Sequence, residues 1–311
     1  MIAYFLLVHR FPEQFKRMFR AIYAPGNIYL IHVDRNSGKA LAQKMEAFLA
    51  PYHGVEILPA RRVLWGGYSL VEAELRGMAR LLEMDADWTH FINLSGQDFP
   101  LKSQSYIRDY LASHPDTQFI RCADQVAIRP DTMNRVSYLF IEAFRRIFRT
   151  RIARAFPRGA TPFIGTQWKA VSRRFCEFAC HDPFTTKFKQ FYRRSFIADE
   201  GFFQTILMNG FSQGNIINDD LRTIDWVPDG DIKLRPRTFT KEDATWLTLS
   251  PDLFARKFDM NEDAAILDLL ERHLASPAAS NFKPSIDRSV ADYSEARPRT
   301  SDGLDDLVPT V

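Results

Sequence analysis

Cysteine is scarce in this sequence: the 311 residues include three, Cys122, Cys176 and Cys180. An odd number without regular spacing excludes the disulfide framework of a small secreted domain. Cys176 and Cys180 stand four apart beside His181, but zinc would need further ligands from a second cluster, and Cys122 stands alone. Buried free thiols are therefore expected. Charge of one sign is missing too. With 41 basic residues against 38 acidic ones the net charge is +3, so any nucleic-acid or membrane affinity must be local. No apolar run reaches the ~18 residues of a membrane-spanning helix. MIAYFLLVHRF at the start is of strand length, is broken by His9 and Arg10, and has no cleavage-site pattern. The expectation is a soluble, cytoplasmic protein, at most peripheral to the inner membrane. Internal repeats are absent, and no G-x-G-x-x-G dinucleotide fingerprint follows the first apolar run.

What is present is apolar and aromatic: 46% hydrophobic residues and 26 Phe, enough to bury the core of a packed enzyme. The first third alternates strand and helix patterns. Ala3 to Val8, Ile28 to Val33, Val55 to Leu58 and Trp88 to Leu94 read as strands. Pro12 to Ile22, Lys39 to Leu49 and Ser69 to Leu82 read as helices with apolar residues on one face. Repeated βα units predict an α/β fold with a mostly parallel sheet and helices on both faces. Ligands of such sheets sit beyond the carboxyl ends of the strands, here His9, Asp34 and Ser95 to Asp98. That edge is where a nucleotide is expected.

Asn134 to Arg158 is basic and aromatic, with Arg135, Arg145, Arg146, Arg149, Arg151, Arg154 and Arg158 among Tyr138, Phe140, Phe144 and Phe148. The pattern fits an amphipathic helix or a long surface insertion with packed aromatics and solvated arginines. Binding of single-stranded nucleic acid or of an anionic acceptor are the alternatives. Ile164 to Val171 resumes ordered structure. Asp199 to Met208 reads as a helix with Asp199 as N-cap and Gly210 as its stop. Beyond Leu274 the composition turns to Ser, Pro, Asp and Arg. This divides the chain into one domain, residues 1–275, with a basic insertion at 134–160, and a polar tail, 276–311, expected to be disordered.

Several groups could carry chemistry. An Asp-X-Asp motif after a central strand can hold a divalent cation on nucleotide phosphates. Asp85-Ala86-Asp87 instead precedes the strand at Trp88, at the wrong edge, and reads as a solvated turn. Asp219-Asp220 lacks the metal spacing. Without a metal, Arg235 or Lys257 could stabilise a departing phosphate through charge-assisted hydrogen bonds. Glu200, in FIADEGFFQTI, is placed for a general base at a helix N-terminus, where acidic residues are also common as capping features.

Eight segments then agree, in order, with one family: AYFLLVHR, NIYLIHVDRNS, WGGYSLVEAELRGM, DWTHFINLSGQDFPLKS, GTQWKAVSRRF, ADEGFFQTI, NDDLRTIDW and LFARKFD. From Ile2 to about Asp259 the chain resembles the core-2/I-branching N-acetylglucosaminyltransferase and peptide O-xylosyltransferase family, glycosyltransferase family 14. HVD, INLSGQDFP and FARKFD are the most telling motifs.

The resemblance implies a GT-A-like, Rossmann-type mixed sheet flanked by helices, without a functional Asp-X-Asp motif. It implies an inverting, metal-independent transferase that needs no cofactor and moves N-acetylglucosamine, or xylose, from its UDP-sugar to a hydroxyl of a glycan or glycoconjugate. Val8, with His9 beside it, and Asp34 match the uracil side of the donor site. Glu200 matches the family's general base and Lys257 its diphosphate-binding lysine, with Arg235 or Arg237 as the arginine partner. Trp65, Asp98 and Trp226 match positions around the acceptor. Vertebrate members carry a membrane anchor and disulfides, and neither pattern occurs here, so the chain resembles a compact bacterial relative. Rival readings are a non-catalytic binder of UDP-sugar or glycan, and a nucleic-acid-binding protein using the Arg-rich segment.

Overall fold

The computed structural model describes residues 1–84, 87–229 and 233–280. Its centre is a seven-stranded sheet in the order Ile216–Ile217, Gln118–Ile120, Lys169–Ser172, His90–Ser95, Ile2–Val8, Ile28–Val33, Val55–Leu58. Lys169–Ser172 is antiparallel to both its neighbours. The remaining pairings are parallel. The sheet is therefore mixed and flanked by helices, consistent with a GT-A-like fold.

Ile2–Val8 is buried along its whole length, and its alternation separates two cores. Tyr4, Leu6 and Val8 face Phe15, Met18, Phe19 and Ile22 of the Pro12–Ile22 helix, together with the Lys39–Leu49 and Ala265–Leu274 helices. Ala3, Phe5 and Leu7 face Val71 and Met78 of the Tyr68–Glu83 helix and the Arg173–His181, Pro183–Tyr192 and Phe202–Gly210 helices. A strand apolar on both faces lies between two helical layers because neither face can meet water. Pro12 opens its helix at a position where the missing N–H is not needed. Tyr4 stacks on Tyr29 with centroids 5.3 Å apart, joining neighbouring strands on that face.

A second, three-stranded sheet joins distant parts of the chain. Phe254–Arg256 pairs parallel with Arg222–Ile224 and antiparallel with Asp98–Pro100. It draws the end of the chain to the edge where His90–Ser95 finishes.

Three expectations are corrected. Of the two forms expected for the basic segment the helical one is not realised: after a single turn, Asn134–Ser137, it is a surface insertion folded as a β-hairpin, Tyr138–Ala143 with Arg146–Ala153. Asp199 is not an N-cap, because Ala198–Glu200 is a 3-10 turn and Gly201 precedes the Phe202–Gly210 helix. Ordered structure continues past 275, since the Ala279 carbonyl accepts the Ser103 N–H at 3.2 Å and Ala279 is buried; the rest of the proposed tail, 281–311, lies outside the described residues. The three thiols are free, and burial raises each above its ordinary range, so none is disposed to act as a thiolate. No helix among the described residues is long and apolar enough to cross a membrane.

Candidate active site

Three parallel strands end side by side at Val8, Val33 and Ser95. The buried Val8 accepts the Asp34 N–H at 2.8 Å, and Leu7 accepts the Gly96 N–H at 3.2 Å. Asp34 Oδ1 accepts the Asn36 N–H at 2.9 Å, capping its own turn, and the Val63 N–H at 3.2 Å. One carboxylate thus sets the turn after the second strand and holds the loop that leads to Trp65. His9 follows Val8, and its carbonyl accepts Ser37 Oγ at 2.6 Å. Loss of solvent keeps its imidazole below the usual range; Arg10 adds to this and Asp34 opposes it.

Positive charge gathers beside this edge. Lys257 follows the Phe254–Arg256 strand, and no hydrogen bond or ion pair holds its ammonium among the described residues. Partial burial lowers its pKa, Arg10 and Arg256 lower it further, and Glu262 and Asp259 oppose them. Arg10 donates Nη2 to Gln97 Oε1 at 2.8 Å and lies 4.6 Å from the Phe11 ring centroid, with no carboxylate partner. Arg256 stacks 4.1 Å from the Trp168 ring centroid, with Arg222 at 5.0 Å from the same ring. Both arginines share Asp98, whose oxygens lie 3.6 Å from Arg256 Nη1 and 3.9 Å from Arg222 Nε. Asp98 also accepts the Ser95 N–H and Oγ–H, each at 2.6 Å.

Glu200 lies on a separate turn. Its carboxylate accepts Arg135 Nη1 at 2.8 Å, and its carbonyl accepts the Gly165 N–H at 2.8 Å. Ile197, at φ 49°, reverses the chain into the 3-10 turn, and its N–H donates to the Gly66 carbonyl at 2.7 Å. A Cβ on Gly66 would lie 2.8 Å from the Phe196 ring, so only glycine allows this approach. The Trp65 ring meets Phe196 edge-on at 6.1 Å while staying 73% exposed. Asp199 points inward toward the buried pair Glu74–Lys169, whose charged atoms are 2.9 Å apart. Burial, reinforced by Glu200, pushes Asp199 up to about 7.

A buried polar network runs beside the strand ends. Thr166 donates to Asp220 Oδ2 at 2.5 Å, and Arg222 donates to the Asp220 carbonyl at 2.8 Å and to the Asn93 carbonyl. Arg222 then meets Asp98, and Asp98 meets Arg256. Asp219 and Asp220 also face Arg121 at 4.0 and 3.4 Å. Arg121 and Thr166 are thus protein partners of this acidic pair.

The edge of parallel strand ends with its adjacent cations, and the carboxylate on a helix-entry turn, come from segments far apart in sequence. The family model for the core-2/I-branching enzyme matches residues 2–250. The chain belongs to the core-2/I-branching enzyme family. Among curated relatives it is 30% identical over 289 residues to a xylosyltransferase of Ciona intestinalis, covering 87% of this chain and 34% of that protein. It is 31% identical over 291 residues to xylosyltransferase 1 of Canis lupus familiaris, covering 88% and 30%. Xylosyltransferase 2 of Mus musculus is 30% identical over 291 residues, with 88% and 33% covered. The chain thus spans about a third of the length of the curated relatives it matches.

In this core-2/I-branching family member the site residues expected from sequence fall into three groups. Val8, His9, Asp34 and Lys257 lie at the sheet edge, and Trp65 is joined to the turn that carries Glu200 through Phe196 and the Ile197–Gly66 hydrogen bond. Asp98 is enclosed, and it braces the buried polar network instead of offering a surface to an acceptor. Trp226 is half-exposed on a separate hairpin, Trp226–Asp229 with Lys233–Pro236. Arg235 lies on that hairpin with Asp229 4.0 Å away and is not among the charges that bear on Lys257. Arg237 is fully committed, to Asp225 at 2.6 Å and to Asp243 at 2.9 and 2.8 Å. The arginines that lower the Lys257 pKa are Arg10 and Arg256. Both sit inside quoted motifs, VHR and FARKFD, so the adjacency of Arg256 to Lys257 was the available signal. The Asp-X-Asp tripeptide at 85–87 lies largely outside the described residues.

Proposed function

We propose that this protein transfers a sugar from a uridine diphosphate donor to a hydroxyl of a glycan or glycoconjugate, in one inverting displacement without a metal ion. The observation that carries the reading is the unpaired Lys257, with Arg10 and Arg256 beside it, next to the strand end that bears Asp34. Val8, His9 and Asp34 would receive the uracil end. The cations would take the negative charge that grows on the diphosphate. Glu200 would accept the acceptor's hydroxyl proton as its oxygen bonds to the anomeric carbon. The bond from that carbon to the diphosphate oxygen breaks in the same step, and its electron pair leaves with UDP. Arg135 would have to yield its hold on Glu200 when the hydroxyl arrives. Trp65 offers an exposed apolar face beside this point for a sugar ring. The names of the relatives make UDP-xylose the first donor to test, and the description of the family model keeps UDP-N-acetylglucosamine second.

The test is release of UDP from a donor panel in EDTA, with and without acceptors, for the wild type and Glu200→Gln. One donor should turn over slowly, and the variant should bind UDP normally while losing about 10²–10⁴-fold in rate. Loss of UDP binding in the variant would assign Glu200 to structure. Activity abolished by chelator and restored by manganese would refute the metal-free step.

A further inference from the structure

We infer that the basic hairpin docks the protein onto a bilayer containing anionic phospholipid, with Phe144 as the inserted residue. Tyr138–Ala143 and Arg146–Ala153 are joined by a two-residue turn, Phe144-Arg145. Both residues have positive φ, 49° and 63°. Such turns favour Asn-Gly, because both positions need the left-handed region. A phenylalanine there is strained, and strain of this kind points to a use. The Phe144 ring is 92% exposed. Ile141 and Phe148, cross-strand partners, are 37% and 42% exposed, and Ile152 is 59% exposed.

Arg145 and Arg146 stand at this tip, and Arg149 and Arg151 follow along the second strand toward the base, with Arg149 opposite Phe140. None of them has a carboxylate within ion-pair distance among the described residues. Arg149 lies over the Tyr138 ring at 4.1 Å. The hairpin's one acid, Glu142, faces the protein and accepts the Ser69 N–H at 3.1 Å. The base of the hairpin is fixed. Phe140 stacks on Phe196 at 5.3 Å, and Arg154 donates to the Phe191 carbonyl at 2.8 Å and to Ser195 Oγ at 2.5 Å.

An anchored stem with an apolar point, two unpaired arginines at the point and two more along the second strand matches the layering of a membrane surface, acyl chains within and phosphates at the rim. The arginine stems can lie along the apolar layer with their heads at the phosphates. A single-stranded nucleic acid would call for aromatic faces along a positively charged groove. This tip is convex. A soluble polyanion would engage the arginines but give Phe144 nothing to enter.

The test is sedimentation of the full chain with phosphatidylcholine vesicles, with and without phosphatidylglycerol. Binding to the anionic vesicles should be at least about tenfold stronger and should weaken with salt. Phe144→Asn/Arg145→Gly installs the residues the turn prefers, so it should melt no lower than wild type while losing most vesicle binding. Arg146→Gln/Arg149→Gln/Arg151→Gln should abolish the preference for phosphatidylglycerol. UDP release should be unchanged in the turn variant. Equal binding to both vesicle types, or a turn variant that binds like wild type, would overturn the inference. So would binding to heparin or an oligonucleotide without binding to vesicles.

Discussion

Lys169→Met tests how the site is held up from below. The Lys169 ammonium is wholly enclosed, 2.9 Å from Glu74, 2.6 Å from the Gln167 carbonyl and 4.2 Å from the Phe203 ring centroid. Methionine keeps most of the stem and removes the charge. Glu74 is then left in the interior with Asp199 nearby and Arg222 as its remaining counter-charge. Breaking one side of a buried ion pair costs about 3–5 kcal/mol, roughly a thousandfold in the folded-to-unfolded ratio. Glu74→Leu/Lys169→Met removes both charges and should recover most of that loss. Urea unfolding at pH 5.5 and pH 8 reads both effects. Burial raises the Glu74 pKa in the fold, and without Lys169 it should rise further. A carboxyl with a raised folded pKa binds its proton more tightly folded than unfolded. The single variant's deficit should therefore be smallest in acid and grow as pH rises through the folded value. A deficit under about 1 kcal/mol at pH 8, or one that fails to shrink in acid, would refute the reasoning.

Lys257→Ala should weaken UDP binding about 10- to 100-fold, the worth of one charge-assisted contact, and calorimetry showing unchanged affinity would remove Lys257 from the donor site. Asp199, pushed up to about 7, contributes stability below its unfolded pKa and loses it as pH rises through about 7. Asp199→Asn should flatten that decline, about 1 kcal/mol between pH 6 and pH 8. Urea midpoints with the same pH slope in both proteins would show that another group titrates.

The half of the fold nearest the amino terminus was legible because its periods are clean. Pro12–Ile22, Ile28–Val33, Lys39–Leu49 and Val55–Leu58 fall where the apolar spacing puts them. The basic hairpin was not legible, because arginines occupy positions on both strand faces and erase the period-two signal. Its left-handed Phe144-Arg145 turn also lacks the Asn-Gly that marks a hairpin. Asp199 looked like a cap because it precedes a helical pattern; a buried Lys169 reached across the sheet is invisible to local sequence. Lys257 and Glu200 were singled out by their motifs. Arg10 stood out from the other basic residues only once Gln97 and the second sheet brought it beside Lys257.

Ile120 and Lys169 are direct partners across the antiparallel step in the main sheet. Everything between them, including Arg135 and the basic hairpin, therefore leaves and rejoins the sheet at neighbouring points. Such an excursion is a closed loop whose ends do not move when its length changes. Doubling it costs only about 0.6 kcal/mol in closure entropy. The hairpin can therefore vary in length while the strand ends bearing Val8, Asp34 and Ser95 keep their register, whereas Arg135, Gly165, Thr166 and Trp168 of the same excursion stay tied to Glu200, Asp220 and the Arg222 and Arg256 guanidinium groups.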